Sequence, residues 1–506
     1  MTAWIAGPSG LNPLTTTSSA SKMIKMMIFS PLLDLDSNMI PRPSTSLATR
    51  IDITANGTRY MLHLRPARWS DGAPLDAGDV VFTLLLQANP GVVPGLSSGF
   101  VLMRSARAID KRTVEIRLFR ASPPFLLNAL GETYPLPKHV LGKFPAGSQA
   151  EAAFVNQDAD FAQNPIVSGP FRIARNVPDD YLILGRNPTY WGAPSILPEI
   201  AFRVYPEQNS LYAAVDSGEV DLTDIPPELW RVHDRLHGDH RFVNWPWNVA
   251  FMLLPNFADP HIAFMKDRTV RQAMLYAIDR QFITYGIMDG QADVLKGPLP
   301  AFSPYYNRHL PTYGYDPAKA RTLLDADGWH VRGSVRMKNG VALRISLKTG
   351  GATDAVASNI AELIQANLRA VGIDCQLQNE ELQTFFQDIQ QSNFEIALRG
   401  RILQPYPDDF RDYDSSQTKQ HGGSNYGSVS IPALDAAMRA ARTAPSLAAS
   451  RAALDRYQAI AARELPALYL YSVRLAAVVP KNLQGLGLSP LSAAALPQDP
   501  QFWYRR

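Results

Sequence analysis

The stretch from Ala357 to Leu377 constrains this chain more than any other. Between Ala357 and Val371, the residues Ile360, Ile364, Leu368 and Val371 fall on one side of a helix. Gly372 then stops it, because glycine adopts the left-handed conformation that ends many helices without steric cost. Ile373, Cys375 and Leu377 alternate as a strand immediately afterwards. Helix, glycine and alternating strand form an α/β building block, which sets the fold class as α/β. Cys375 reads as a small buried hydrophobe on that strand. It is the only cysteine in 506 residues, so no intrachain disulfide framework and no four-thiolate metal site is available. At roughly 100–200 residues per domain, the length predicts about two to four packed units.

Other segments carry equally local signals. Ile51–Leu64 reads as a hairpin, with Ile51 and Ile53 before Asn56-Gly57 and Tyr60, Leu62 and Leu64 after it. Asn-Gly is the dipeptide of a type I′ turn. A helix follows from Asp76, with Asp79 placed to complete a capping box and Val80, Val81, Leu84 and Leu85 facing inward. Thr113–Phe119 alternates as a strand. Thr269–Ile283 repeats Val270, Ala273, Met274, Ala277 and Ile278 on one helical face, with Asp267 or Asp259 to cap its start and Arg280 near its end. Arg271 points off that face and suits a structural ion pair. A final helical zone covers Ala433–Glu464 and stops at Pro466.

Several function classes are excluded or left without support. With 49 basic against 46 acidic side chains and no basic stripe, a nucleic-acid partner has no electrostatic footprint. No run approaches the ~20 apolar residues of a membrane-spanning helix. Phosphate-cradling Gly-rich loops, a nucleophile elbow and His-Glu-x-x-His are all missing, so an enzyme reading finds no constellation and no cofactor is expected. His233, His237 and His240 stand at metal-ligand spacing but among charged residues, which reads as a solvated helix end. Asp408, Asp409, Asp412 and Asp414 lack the glycine and terminal glutamate of a calcium loop and read as a solvated acidic turn.

An ordered set of motifs resembles the large extracytoplasmic solute-binding proteins of ABC transporters, family 5, the peptide/nickel/opine type. Trp69-Ser70-Asp71-Gly72-Ala73-Pro74-Leu75 with Asp79-Val80-Val81-Phe82 is similar to its most recognisable element. Ser168-Gly169-Pro170-Phe171, Asn187-Pro188-Thr189-Tyr190-Trp191, Val270-Arg271-Gln272-Ala273 and Tyr315-Asp316-Pro317 through Gly328-Trp329 follow in the family's order. The resemblance implies a periplasmic-binding-protein-like fold (class II, cluster C), two α/β lobes with a hinge plus an additional α+β domain. Domain I would combine 1–33, 164–246 and 473–506, domain II 34–163, and domain III 247–472. It further implies a monomer that closes on a small-molecule or oligopeptide ligand and hands it to membrane permease subunits, with no chemistry performed. Trp4-Ile5-Ala6 through Leu14 resembles the first mature strand, which implies an exported protein, periplasmic or at the cell surface, whose leader is missing from this chain. A stand-alone sensor on the same fold is the competing reading.

The stretch Leu398–Asp408 departs from the peptide-binding pattern. Arg401 stands where that pattern has tryptophan, and Gln404 about where an aspartate pairs the peptide's amine. A neutral amide cannot replace that charge, whereas an arginine favours carboxylate or phosphate, so an anionic ligand is expected. Candidate ligand residues here are Arg399, Arg401, Gln404, Tyr406 and Asp408. His421 is comparable to the histidine that nickel-binding members use, which keeps a metal–chelate ligand open. Trp245, Trp247 and Phe251 flank the crossing between the expected lobes and could stack on ligand, while Thr16, Thr17 and Ser18 offer hydroxyls after the first strand.

Overall fold

The alternation at Ile51–Leu64 folds into two antiparallel strands, β1 (Ala48–Thr54) and β2 (Arg59–Leu64), with Ile51 opposite Leu62 and Ile53 opposite Tyr60. The computed structural model describes residues 2–4, 7–16, 18–92, 97–225, 240–352, 354–492 and 499–505. The turn between the strands differs from the expected one. Ala55 and Asn56 are the left-handed pair at its centre, and the Gly57 amide donates to the Thr54 carbonyl. Gly57 is needed for a different reason: a β-carbon there would lie 2.5 Å from the Pro445 carbonyl oxygen.

The hairpin belongs to the first of two compact units, formed by Met1–Trp245, Thr443–Leu447 and Leu475–Arg506. Residues 34–163, expected as a separate lobe, fall within it. Strands β3 (Met103–Asp110) and β4 (Thr113–Leu118) complete an antiparallel sheet in the order β1-β2-β4-β3. Its inner face carries buried Tyr60, Leu62, Val114 and Ile116; the outer face carries Arg59, Arg107, Glu115 and Arg117. Helix α1 (Ser19–Ile28) begins at Ser18, whose hydroxyl accepts from the Ser21 amide. Helix α2 (Ala77–Ala88) begins with the expected capping box of Asp76 and Asp79. Its inward face is rotated from the expectation: Phe82, Thr83 and Leu86 are buried with Val80 and Leu84, while Val81 and Leu85 are half-exposed. Strands β3 and β4 pack on the helix, and the short helices Ser97–Phe100 and Lys138–Leu141 also pack against it, so more than the one expected face is covered. A second sheet joins Phe171–Val177, Tyr181–Arg186 and Glu199–Val204 to Thr2–Trp4.

The second unit comprises Pro246–Arg442 and Ala448–Arg474. Helix α3 (Arg268–Ala277) is capped by Asp267, and Asp259 caps the short turn at Pro260 just before it, so each candidate cap starts its own element. The helix ends earlier than its periodicity suggests. Arg280 turns inward, 5% exposed, and donates to the carbonyls of Leu295, Tyr469 and Tyr313. Burial lowers its guanidinium to about 10, so it orders loops from inside and does not complement the helix end. Arg271 is likewise buried and satisfied by the carbonyls of Glu464 and Met265, in place of the expected ion pair.

The α/β unit read from 357–377 forms as expected. Helix α4 (Ala355–Arg369) buries Ile360, Ile364 and Leu368, and Gly372 has φ of +85°. The following strand, Asp374–Asn379, places Cys375 opposite Ile345, fully buried, with its thiol pushed up to about 12 by burial. The helical zone at the C-terminal end is two helices, Pro432–Arg442 and Leu447–Glu464, broken around Pro445. The residues His233 and His237 lie outside the described residues; His240 begins a strand.

Candidate functional site

In the second unit, a long strand β5 (His240–Pro255), of which Pro246–Pro255 belongs here, pairs antiparallel with a later strand, Ile396–Ile402. We label the strands of this sheet β6 (Arg344–Thr349), β7 (Asp374–Asn379) and β8 (Ile396–Ile402). Strand β6 runs parallel to both β7 and β8. In open α/β sheets, ligands bind beyond the carboxyl ends of parallel strands, where loops are free to vary over a fixed scaffold. Here those ends bring together Gly350-Gly351 after β6, Asn379–Glu381 after β7, and Arg399–Gln404 on and after β8.

Gly350 and Gly351 let the first loop lie against its neighbours. A β-carbon at Gly350 would meet Leu382 and Phe385 at 3.0 Å, and one at Gly351 would meet Ala357 at 2.8 Å. Asp354 then caps α4, accepting from the Ala357 amide. The ring of Phe251 stacks on Tyr471 with centroids 4.9 Å apart and planes 10° from parallel. It also covers Gly400, where an added β-carbon would come within 3.1 Å of the ring. Glycine at 400 is therefore part of the aromatic packing. Burial, and more weakly the charge of Asp354, raise the Tyr471 phenol, which stays neutral. Tyr471 and the paired glycines escaped the sequence reading; Thr349-Gly350-Gly351 ahead of a capped helix was the available signal.

Arg401 is not free to meet a ligand. Its Nη1 lies 2.7 Å from Asp409 Oδ1 and 3.2 Å from Asp412 Oδ2, and its Nη2 donates to Asp409 Oδ2 at 3.0 Å. Burial disfavours its charge, but Asp409, Tyr413 and Asp412 outweigh that and hold the guanidinium well above its usual value. The Tyr457 hydroxyl donates to Asp409 as well. Asp414, fully buried, is held by Arg439 at 2.6 Å, and Asp408 by Arg442 at 2.8 Å. Burial raises the Asp408 carboxyl, with Arg442 pulling against it. The acidic run expected to be a solvated turn is thus an ordered set of ion pairs, because arginines distant in sequence converge on it. Among the described residues, no group of three or more His, Cys, Asp or Glu is placed to hold a metal ion.

The remaining candidates separate. Tyr406 is fully buried, its hydroxyl donating to the Ala441 carbonyl, so it locks the loop from within. Gln404 is exposed. Arg399 is half-buried on β8, opposite Met252. His421 is exposed, with Nδ1 2.8 Å from Thr418 Oγ1. Trp247 is half-buried. In the first unit, Trp245 is buried with its indole Nε1 unpartnered among the described residues. Thr16 is half-buried after a turn anchored on the Asn12 carbonyl, Thr17 lies outside the described residues, and Ser18 is engaged as the α1 cap.

Residues 42–424 match the family model described as bacterial extracellular solute-binding proteins, family 5 Middle. The oligopeptide-binding protein AppA of Bacillus subtilis is 25% identical over 493 residues, covering 96% of this chain and 88% of AppA. The nickel-binding periplasmic protein of Escherichia coli is 26% identical over 419 residues, 80% of this chain and 75% of that protein. In fold, the chain is similar to NikA from Brucella suis, solved in complex with Fe(III)-EDTA, with a TM-score of 0.83, 23% identity and coverage of 100% and 99%.

Proposed function

From the premise that this chain belongs to family 5 of the bacterial extracellular solute-binding proteins, we propose that it is the substrate-binding receptor of an ABC importer. It captures a peptide-like or chelate-like solute by hinge closure and delivers it to membrane permease subunits, without transforming it. Three lobes with the boundaries given above, an exported location and a monomeric state belong to the same proposal. Relatives described as oligopeptide-binding and nickel-binding support the solute range. The observation that carries the reading on this chain's own residues is the loop cluster at the carboxyl ends of β6, β7 and β8. There, Gly350-Gly351 and the Phe251–Tyr471 stack form a surface built by close backbone approach. No helix of the described residues is long and apolar enough to cross a membrane.

Native mass spectrometry of the purified protein tests the reading. A retained small solute, released unchanged on denaturation, is the expected result. Catalytic turnover of that solute by the isolated protein would replace the receptor reading with an enzymatic one.

A further inference from the structure

Strand register divides the charges of the second unit's sheet between its two faces. Lys348 of β6 lies opposite Ala397 of β8, so Arg344 and Lys348 share a face with Arg399 and Arg401. That face receives the helix Leu382–Gln391, whose Asp388 pairs with Lys348, and the loop whose Asp409 and Asp412 pair with Arg401. The other face is the one that α4 covers, packing on β6 and β7. It carries Thr349 and Leu398 and, beyond the end of β6, Gly400 and Phe251. No basic side chain of β6, β7, β8 or the Pro246–Pro255 part of β5 lies on it, and the one basic residue of α4 is Arg369, in its last turn. An anionic solute, the class that Arg401 suggests in the sequence, therefore meets no strand cation on the Phe251–Gly400–Tyr471 surface.

That surface presents a carboxylate and a phenol instead. Asp354 stands exposed at the start of α4, its amide donating to the Gly351 carbonyl. Its Oδ1 accepts from the Ala357 amide at 3.0 Å, which answers the positive end of the helix, while Oδ2 accepts from no described residue. Tyr471 is 3% exposed and its ring is fixed against Phe251, yet its hydroxyl has no hydrogen-bond partner among the described residues. Phenols buried to this degree ordinarily find one. Asp354 is the charged group that acts on this phenol, so carboxylate and hydroxyl belong to one neighbourhood.

We propose that the solute presents a protonated amine to this surface, taken up by Asp354 Oδ2 and the Tyr471 hydroxyl, with the half-buried ring of Phe251 alongside. The inference rests on the receptor reading above and narrows its solute class. An ammonium donates three hydrogen bonds, so the carboxylate and a phenol lone pair can each accept one, and an aromatic face attracts the same charge. The amine anchor then lies at the cap of α4, and Gln404, which stands about where peptide-binding members have their aspartate, is not needed for it.

The test uses matched probes that differ only in the amine: tri-alanine against N-acetyl-tri-alanine, and tyramine against N-acetyltyramine. Calorimetry measures binding to the wild type, Asp354→Asn, Tyr471→Phe and Asp316→Asn, after the unliganded melting curves are compared. Asparagine caps a helix about as well as aspartate, so Asp354→Asn removes the charge and keeps α4 capped. Asp316 caps a different helix, Pro317–Ala326, and controls for the same exchange. The expected result is that the amines bind the wild type about tenfold or more tightly than their acetylated partners. Asp354→Asn loses that preference, Tyr471→Phe reduces it, and Asp316→Asn keeps it. Equal binding of amine and acetylated forms, a preference that survives Asp354→Asn or Tyr471→Phe intact, or one lost equally in Asp316→Asn overturns the anchor and leaves the receptor reading standing. Where none of the four probes binds, the mass of the solute retained on the purified protein decides. An amine-bearing adduct lost in Asp354→Asn supports the anchor, an adduct without an amine or one kept by Asp354→Asn overturns the anchor alone, and no adduct on either protein counts against both.

Discussion

Two charged clusters in this molecule use the same chemistry in opposite surroundings. On the outer face of the first sheet, Glu115 is gripped by Arg59, Arg107 and Arg117 at 2.7, 2.6 and 3.0 Å. The arginines are largely exposed, and Arg59 sits directly opposite Arg117 in the ladder. In the second unit, Arg401 and Asp409 are each 8% exposed at the side chain and pair directly. In the first cluster only the carboxylate is covered, at 1% side-chain exposure, and its arginines, 42–59% exposed, stay solvated when a contact is lost. In the second, both members of the Arg401–Asp409 pair are covered. Similar distances therefore conceal very different consequences of removing one member.

The largest expected effect is at Asp409. Asp409→Ala leaves the Arg401 charge buried with only Asp412 beside it, and should cost about 3–5 kcal/mol in urea unfolding. Replacing the pair together, Arg401→Met with Asp409→Leu, should recover most of that loss, since neither charge is then stranded. If the double variant is as unstable as the single one, the pair is not the unit that matters. Tyr457→Phe removes one donor to Asp409 and should cost about 1.5–3 kcal/mol, the range for hydrogen bonds to charged groups.

The solvated arginines of the first cluster should respond weakly. Arg107→Gln, which leaves two arginines on Glu115, should change stability by about 1 kcal/mol or less at neutral pH, and less still at high salt. Hydrogen bonds from Arg117, opposed by burial and aided by Arg107 and Arg59, hold the Glu115 carboxyl down at about 2. Because the folded value is depressed, the stabilisation is complete above the unfolded carboxyl's value near ~4.3 and disappears as pH falls through about 2. The gap between wild type and Glu115→Gln, followed by acid titration of the melting midpoint, should therefore close over that window. A gap that widens on acidification would contradict the arrangement.

Much of the architecture was legible because it is local. Asp76 and Asp79 cap α2, Asp267 caps α3, and Gly372 ends the helical stretch before the strand that buries Cys375. The site was legible only in outline. Residues 398–408 stand out in the sequence as the informative loop, yet Arg401 and Tyr406 hold it together from inside, and nothing local separates them from Arg399, which only its lack of partners singles out. The acidic run at Asp408–Asp414 looked solvated because its partners Arg439 and Arg442 lie more than twenty residues away. Periodicity cannot see such pairs. The same limit explains Arg280, which local rules place at a helix end and which three distant carbonyls draw inside.

The sequence by itself determined the α/β class, the caps and stops of its principal helices, and the ordered motifs of a solute-binding family. Each depends on hydrogen bonds and apolar periodicity within a few residues, or on a pattern that survives without coordinates. Only the tertiary structure decided which charges are spent. Whether an arginine is a structural brace or stays unpaired depends on what other segments place beside it, and on how much water is left there to screen it. Arg399 and Arg401 are the same residue type two positions apart on one strand; the carboxylates folded against one of them make the difference.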